Sequence, residues 1–194
     1  MRAVFLDRDG VLNRNVFYSD TGAFESPRVP EDFDLLPGTM DTLARLTNSG
    51  FSLYLVSNQP NVAKGKSTLA ELAGAHAKLE SAAREAGVPF VEYYYCYHHP
   101  ASRLEGLGGK CECRKPSPYF LLKAHREYDI DLKQSWMVGD RASDIECGSA
   151  AGVRTIRIRP DHLGPDFKAE LPRPNFYAED LREAVDLILA QLPG

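Results

Sequence analysis

The sequence predicts an α/β protein with a Rossmann-like, doubly wound parallel sheet covered by helices on both faces. Short apolar runs at 3–6, 51–56, 90–95, 136–138 and 153–158 alternate with longer segments whose apolar residues recur at helical spacing. Polar, mostly acidic groups follow the first, second and fourth runs. Ligands of such sheets bind beyond the carboxyl ends of the strands, so these groups should meet on one rim. The chain has 194 residues, 43% of them hydrophobic, which suits one domain over 1–194 without internal repeat, linker or separate cap.

The first run ends in Asp7-Arg8-Asp9-Gly10. Side chains alternate along a strand, so Asp7 and Asp9 project to one side at its end, and Gly10 supplies a positive φ. A long connection over about 14–37 holds Gly22, Pro27 and Pro30. Loops of that length in a compact domain are usually functional, and this one is read as a substrate loop, with a flexible surface hairpin as the plain alternative. A helix over 39–48 turns Met40, Leu43, Ala44 and Leu46 inward and stops at Gly50. The second run leads into Ser57-Asn58-Gln59-Pro60-Asn61. The helix over about 67–86 aligns Leu69, Leu72, Ala73, His76, Leu79, Ala83 and Ala86, which makes His76 a packed histidine rather than a ligand. Pro116 and Pro118 open a helix over 117–128. The fourth run ends in Gly139-Asp140-Arg141-Ala142-Ser143-Asp144, followed by a short helix through Ala151. Residues 160–174 are proline-rich and read as irregular. The last helix, with Leu181, Ala184, Val185, Ile188, Leu189 and Leu192 on one face, is packing.

Net charge is −4 and the 23 basic residues are scattered, so no basic tract exists to follow a nucleic-acid backbone. No apolar run reaches membrane-spanning length, and the N-terminus enters a strand at once. The expectation is a cytoplasmic monomer acting on a small soluble partner, with neither nucleic acid nor membrane involved.

Asp7, Asp9 and Asp140 offer hard oxygen ligands that suit Mg²⁺, with Asp144 in support. Ser57 and Asn58 can present a hydroxyl and backbone N–H groups to an anion, and Lys115 adds positive charge. A carboxylate nucleophile, Mg²⁺, amide donors and a lysine together fit phosphoryl transfer. A second metal is predicted in the loop at about 96–113. Cys96-Tyr97-His98-His99 precedes Cys111-Glu112-Cys113, and paired C-x-H and C-x-C elements can close one S₃N site for structural Zn²⁺. His98 completes the C-x-H element, with His99 as the alternative ligand. Cys147 stands apart as a buried thiol.

On these residues the chain resembles the haloacid dehalogenase-like phosphatases. Asp7 to Gly10 is similar to their first motif, Ser57 to the second, Lys115 to the third, and Asp140 with Asp144 to the fourth. The resemblance implies that Asp7 is the nucleophile and forms an aspartyl phosphate. It implies that Asp9 is the general acid and base, and that Mg²⁺ sits on Asp7, the Asp9 carbonyl and Asp140. Ser57, Asn58 and Lys115 would bind the transferring phosphoryl group. The zinc loop joined to Arg114-Lys115-Pro116 is similar to the group acting on heptose bisphosphate and histidinol phosphate. That likeness implies that Arg114 holds the distal phosphate or sugar. Pro60 and Asn61 depart from the usual Ser-Gly of that group, and Arg141 stands where it commonly has lysine. The competing reading from a different class is a zinc-stabilised binding module without catalysis.

Overall fold

Ala3, Val4, Phe5 and Leu6 have no exposed surface, and they make up most of the central strand β1 (Arg2–Leu6). A strand buried on both faces can be apolar throughout. The other strands of its sheet are β4 (Phe51–Asn58), β5 (Phe90–Cys96), β6 (Trp136–Gly139), β7 (Arg154–Ile158) and β8 (Phe176–Ala178). The strand order is β5-β4-β1-β6-β7-β8 and every neighbouring pair is parallel. The computed structural model describes residues 1–159 and 172–192. Most of the stretch read as irregular, 160–171, therefore lies outside the described residues.

Alternation along β1 divides the core. Val4 and Leu6 join Leu53, Leu55 and Val138 on one face, covered by α1 (Thr39–Asn48), α2 (Leu69–Glu85) and α5 (Leu181–Leu189). Ala3 and Phe5 join Tyr54, Val56 and Met137 on the other, covered by α3 (Tyr119–Tyr128) and α4 (Ala142–Ala151). The chain leaves β1 toward β4 and β5, then crosses back to β6. The order thus reverses between β1 and β6, which is where a doubly wound sheet opens its ligand crevice.

Some expectations needed adjustment. β8 was not foreseen; it is three residues long, too short to show alternation. α2 begins after Thr68, whose side chain accepts from the Glu71 N–H while Glu71 accepts from the Thr68 N–H, a capping box that fixes the start. Its buried face is Leu72, Ala75, Leu79 and Ala83, and Leu69 is exposed. α3 begins at Tyr119 rather than at residue 117.

The long connection after β1 contains an antiparallel hairpin, β2 (Val16–Tyr18) and β3 (Ala23–Glu25). Charge pairs pin it to the segment after β4. Lys66 Nζ lies 2.6 and 2.8 Å from the two Glu25 carboxylate oxygens. Arg28 reaches Glu25 at 3.0 Å and Asp20 at 2.8 Å, with its guanidinium 3.8 Å from the Tyr18 ring centroid. The Asn61 amide donates to the carbonyls of Ser26 and Pro27 at 3.3 and 3.4 Å. Partial burial would push Glu25 up, but bonds from Lys66 and Arg28 outweigh it and hold the carboxyl at about 2. A carboxyl depressed on folding stabilises above its unfolded value and loses that contribution as pH falls toward its folded one. Amide protection factors over 16–25, corrected for the intrinsic pH dependence of exchange, should therefore fall between about pH 4.5 and 2, and Glu25→Gln should lower them at pH 7.

Candidate active site

β1 stops at Leu6, and the Asp7 N–H donates to the Val138 carbonyl at 2.9 Å, so the tip of β1 is tied to the neighbouring β6. That bond brings Asp7 beside Asp140, which follows Gly139 at the end of β6. Asp7, Asp140 and Asp144 each offer a carboxylate oxygen, and these oxygens lie within 4.8 Å of one another. All three residues are buried. Two glycines make the approach possible. A Cβ on Gly10, whose φ is +79°, would come within 2.5 Å of Asp140 Oδ2, and one on Gly139 within 2.3 Å of Asp144.

Lys115 answers this acidic cluster. Its Nζ lies 3.0 Å from Asp7 Oδ1, 2.6 Å from Asp144 Oδ1 and 2.6 Å from the Val56 carbonyl, and the residue is 3% exposed. Burial alone would lower its pKa, but Asp144 and Asp7 outweigh that and hold it above the ordinary lysine range. Asn58 seats the lysine by accepting from the Lys115 N–H at 3.0 Å and donating to its carbonyl at 3.1 Å. The Asn58 amide is thus committed to the Lys115 backbone. Asp144 also accepts from the Arg141 N–H at 3.0 Å, at the start of α4. Burial, then the charges of Asp7 and Asp144, push Asp140 well above the usual carboxylate range. Its Oδ1 is buried without a hydrogen-bond partner. Three carboxylates against one buried ammonium, with such an orphaned oxygen, form a donor set that fits a hard divalent cation.

Asp9 occupies a different environment. Its carboxylate accepts from Arg8 Nε and NH2 at 3.1 and 3.0 Å, from Asn13 Nδ2 at 3.0 Å and from Gln59 Nε2 at 2.5 Å. Burial would raise its pKa, yet Arg8, Asn13 and Gln59 together hold it below the usual range. Gln59 Nε2 also donates to Ser57 Oγ at 3.1 Å.

Asp7, Asp9, Ser26, Asn58, Arg114, Lys115, Arg141 and Ser143 line one polar cavity of about 100 Å³. Whole-ligand pockets are several times larger, so this one suits the head of a ligand rather than its body. Arg114 NH1 donates to the His98 carbonyl at 3.1 Å. The Arg141 side chain is about half exposed at the mouth. Lys64, which sequence reasoning passed over, has its pKa lowered by desolvation and then by Lys66, with smaller contributions from Arg114 and Arg141. A larger groove between α2 and β5, lined by Val88, Phe90 and Tyr93, lacks such a convergent set of acids and bases.

Cys96, His98, Cys111 and Cys113 also come together. His98 Nδ1 lies 3.6 Å from Cys96 Sγ and 3.5 Å from Cys113 Sγ, and Cys111 Sγ lies 3.7 and 3.8 Å from those sulfurs. A tetrahedron with zinc bond lengths has edges of about 3.6 Å between nitrogen and sulfur and about 3.8 Å between sulfurs. The donors therefore fit zinc. His99 stands outside the group, its Nδ1 accepting from the Ala101 N–H at 3.3 Å. Cys147 is buried on α4, donating to the Ser117 carbonyl.

A HAD-hydrolase-like family model matches residues 112–184. The D-glycero-beta-D-manno-heptose-1,7-bisphosphate 7-phosphatase of Salmonella typhi is 34% identical over 99% of this chain and 93% of its own. The chain belongs to the heptose-bisphosphate phosphatase family of HAD-like hydrolases. A second family member, from Photorhabdus laumondii, is named for the alpha anomer and is 31% identical over 84% of this chain and 85% of its own. The crystal structure of D,D-heptose 1,7-bisphosphate phosphatase from B. bronchiseptica, complexed with magnesium and phosphate, covers 99% of this chain and 100% of that one. It does so at 29% identity with a TM-score of 0.78.

Within this member of the family, sequence reasoning gathered the cavity acids and the cysteine cluster but missed Arg8, Asn13, Gln59, Ser26 and Lys64. Arg8 had one available signal, a cation placed between two carboxylates. Lys115 has the clearest energetic consequence. Removing one partner of a buried charge set costs about 3–5 kcal/mol, so Lys115→Met should lose about that much stability in urea denaturation with chelator present.

Proposed function

We propose that the chain is a Mg²⁺-dependent phosphomonoesterase that removes the 7-phosphate of D-glycero-D-manno-heptose 1,7-bisphosphate through an aspartyl-phosphate intermediate. The observation that carries this reading is the pairing of two aspartates two residues apart in opposed environments. Asp7 faces the cavity beside Lys115 and the other acids, whereas Asp9 is held by Arg8, Asn13 and Gln59. Such a division supports a nucleophile and a separate proton-transfer group.

In the first half-reaction Asp7 attacks phosphorus, and the bond from phosphorus to the sugar oxygen breaks as Asp9 protonates that oxygen. In the second, Asp9 takes a proton from water, which attacks the same phosphorus and frees Asp7. Lys115 offsets the charge of Asp7 throughout. The Ser57 hydroxyl, which accepts from Gln59, keeps its own proton for a phosphoryl oxygen. Asn58 contributes by seating Lys115. Bound Mg²⁺, held by Asp7, Asp140 and the Asp9 carbonyl with Asp144 in support, would offset negative charge on the transferring phosphoryl group. Zinc on Cys96, His98, Cys111 and Cys113 would pin the loop that leads directly into Arg114 and Lys115.

A bisphosphate also needs cations beyond the reacting phosphoryl group. Arg114 and Arg141, in the cavity lining, supply them, and a guanidinium fork suits a phosphate. The small cavity supports entry of one phosphoryl group while the sugar stays at the rim. A small soluble substrate fits this arrangement, and no helix among the described residues is long and apolar enough to cross a membrane. Relatives named for both anomers support a heptose bisphosphate and make the anomer the first quantity for an assay to read.

Asp7→Asn is expected to release no phosphate while keeping the wild-type circular dichroism, because an amide cannot replace this nucleophile. Across a panel of both heptose 1,7-bisphosphate anomers and histidinol phosphate, kcat/KM should be highest for a heptose substrate. A preference for histidinol phosphate overturns the assignment. Protons compete with Mg²⁺ for the Asp140 carboxyl, whose pKa burial and the neighbouring acids raise, so calorimetry should find weaker Mg²⁺ binding as pH is lowered. Metal analysis of protein purified without chelator should return about one zinc per chain.

A further inference from the structure

Proton transfer through Asp9 asks its carboxylate to keep one orientation while a leaving oxygen, and later a water, comes to it. The residues that could impose that orientation lie behind Asp9, outside the lining of the cavity. Arg8 is 1% exposed, and its guanidinium carbon lies 5.6 Å from the Phe33 ring centroid and 5.9 Å from that of Tyr95. From there its Nε and NH2 meet Asp9 Oδ1 at 3.1 and 3.0 Å, and NH2 also donates to Gln59 Oε1 at 2.9 Å. Gln59, likewise 1% exposed, donates through Nε2 to Asp9 Oδ2 at 2.5 Å and to Ser57 Oγ at 3.1 Å. Tyr95, whose ring flanks Arg8, has its hydroxyl 3.1 Å from His76 Nδ1 on α2.

Asp9 is thus met from two parts of the fold: Oδ1 accepts from Arg8 and from Asn13 at 3.0 Å in the turn after β1, and Oδ2 accepts from Gln59 in the turn after β4, with a longer bond of 3.4 Å from Arg8 NH2. Rotating the carboxylate breaks charge-assisted bonds on both sides. Simple filling of the space between Phe33 and Tyr95 does not require a guanidinium, which is costly to bury and is retained here with its partners satisfied.

We infer that Arg8 and Gln59 are positioning residues that act through Asp9. They aim its carboxyl at the leaving oxygen, and Gln59 joins Asp9 and Ser57 into one unit. The inference rests on the reading of Asp9 as the proton donor, and it is independent of which sugar is bound. In the step concerned, the bond from Asp7 to phosphorus forms and the bond from phosphorus to the leaving oxygen breaks. The proton passes from Asp9 to that oxygen. A nitrophenolate leaves readily without a proton, whereas an alkoxide does not. A misaimed Asp9 therefore slows alkyl phosphates selectively.

Single-turnover release of the leaving group, measured with Mg²⁺ and excess enzyme, reads this half-reaction alone. The substrates are p-nitrophenyl phosphate and heptose 1,7-bisphosphate, with wild type, Gln59→Leu, Arg8→Lys and Asp9→Asn compared. Gln59→Leu is expected to slow the heptose substrate by about 10- to 100-fold, within the range general acid catalysis contributes. It should leave the nitrophenyl substrate within about threefold and substrate affinity little changed. Arg8→Lys keeps the charge and loses the fork, and it should discriminate in the same direction by a smaller factor. It carries the test if Gln59→Leu fails to fold. Equal slowing of both substrates, or no slowing while Asp9→Asn discriminates, overturns the positioning role. If Asp9→Asn itself does not discriminate, the assignment of Asp9 as proton donor falls, and the positioning role with it.

Discussion

The constraint on which the structure depends is the cost of burying like charge. Asp7, Asp9, Asp140 and Asp144 are all 6% exposed or less. Carboxylates in so dry a place cannot all ionise unless cations are buried with them. Arg8 and Lys115, each 3% exposed or less, are buried with them, and Arg157, 8% exposed, donates from Nε to the Asp140 carbonyl at 3.2 Å. Arg8 is assigned to Asp9, and Lys115 bridges Asp7 and Asp144. The remaining excess of negative charge falls at Asp7 and Asp140, beside the cavity, where a divalent cation and a phosphoryl group can meet it.

Much of the architecture around the sheet keeps those charges in place. Lys115 comes from a loop, yet its backbone is clamped by Asn58 at the tip of β4 and its Nζ is capped by the Val56 carbonyl from the same strand. Upstream, the loop is gathered by three thiols and an imidazole at zinc-like separations. Arg114 is tied to the same cluster through the His98 carbonyl. On the other flank, Glu25, Arg28 and Lys66 pin the hairpin so that Ser26 joins the cavity wall. Loops contribute most of the polar groups, and the sheet contributes the fixed points from which the loops are hung.

Most of this was legible in the residue pattern, and the exceptions have physical reasons. Five apolar runs gave five parallel strands, because strands buried on both faces need not alternate. β8 was missed because three residues carry no period, and the hairpin stood only as the alternative reading of its loop because its two strands are equally short. Asp7, Asp140 and Asp144 could be brought together from topology alone, since each follows a strand of one sheet. Arg8 and Gln59 could not. Each lies next to a motif residue in sequence, but its function depends on which way its side chain turns after the strand ends. Asn58 shows the same limit, because the sequence offered its backbone N–H to an anion but carried no sign that its side-chain amide closes on the Lys115 backbone.

The residue between the two aspartates explains how they can sit so close and still differ. The backbone N–H of Arg8 donates to Asp7 Oδ1 at 2.7 Å, while its guanidinium turns to the Asp9 carboxylate. One residue therefore serves both acids from opposite ends of itself. The amide contributes only a dipole to Asp7, which stays dependent on Lys115 and on a cation. The guanidinium contributes a full charge to the Asp9 side chain and seats it directly. A neutral residue in place of Arg8 would leave Asp9 to Asn13 and Gln59, two dipoles, and would add its charge to a cluster already in excess. The opposed environments of the two acids thus follow from a side chain whose length lets it fold back on its own neighbour.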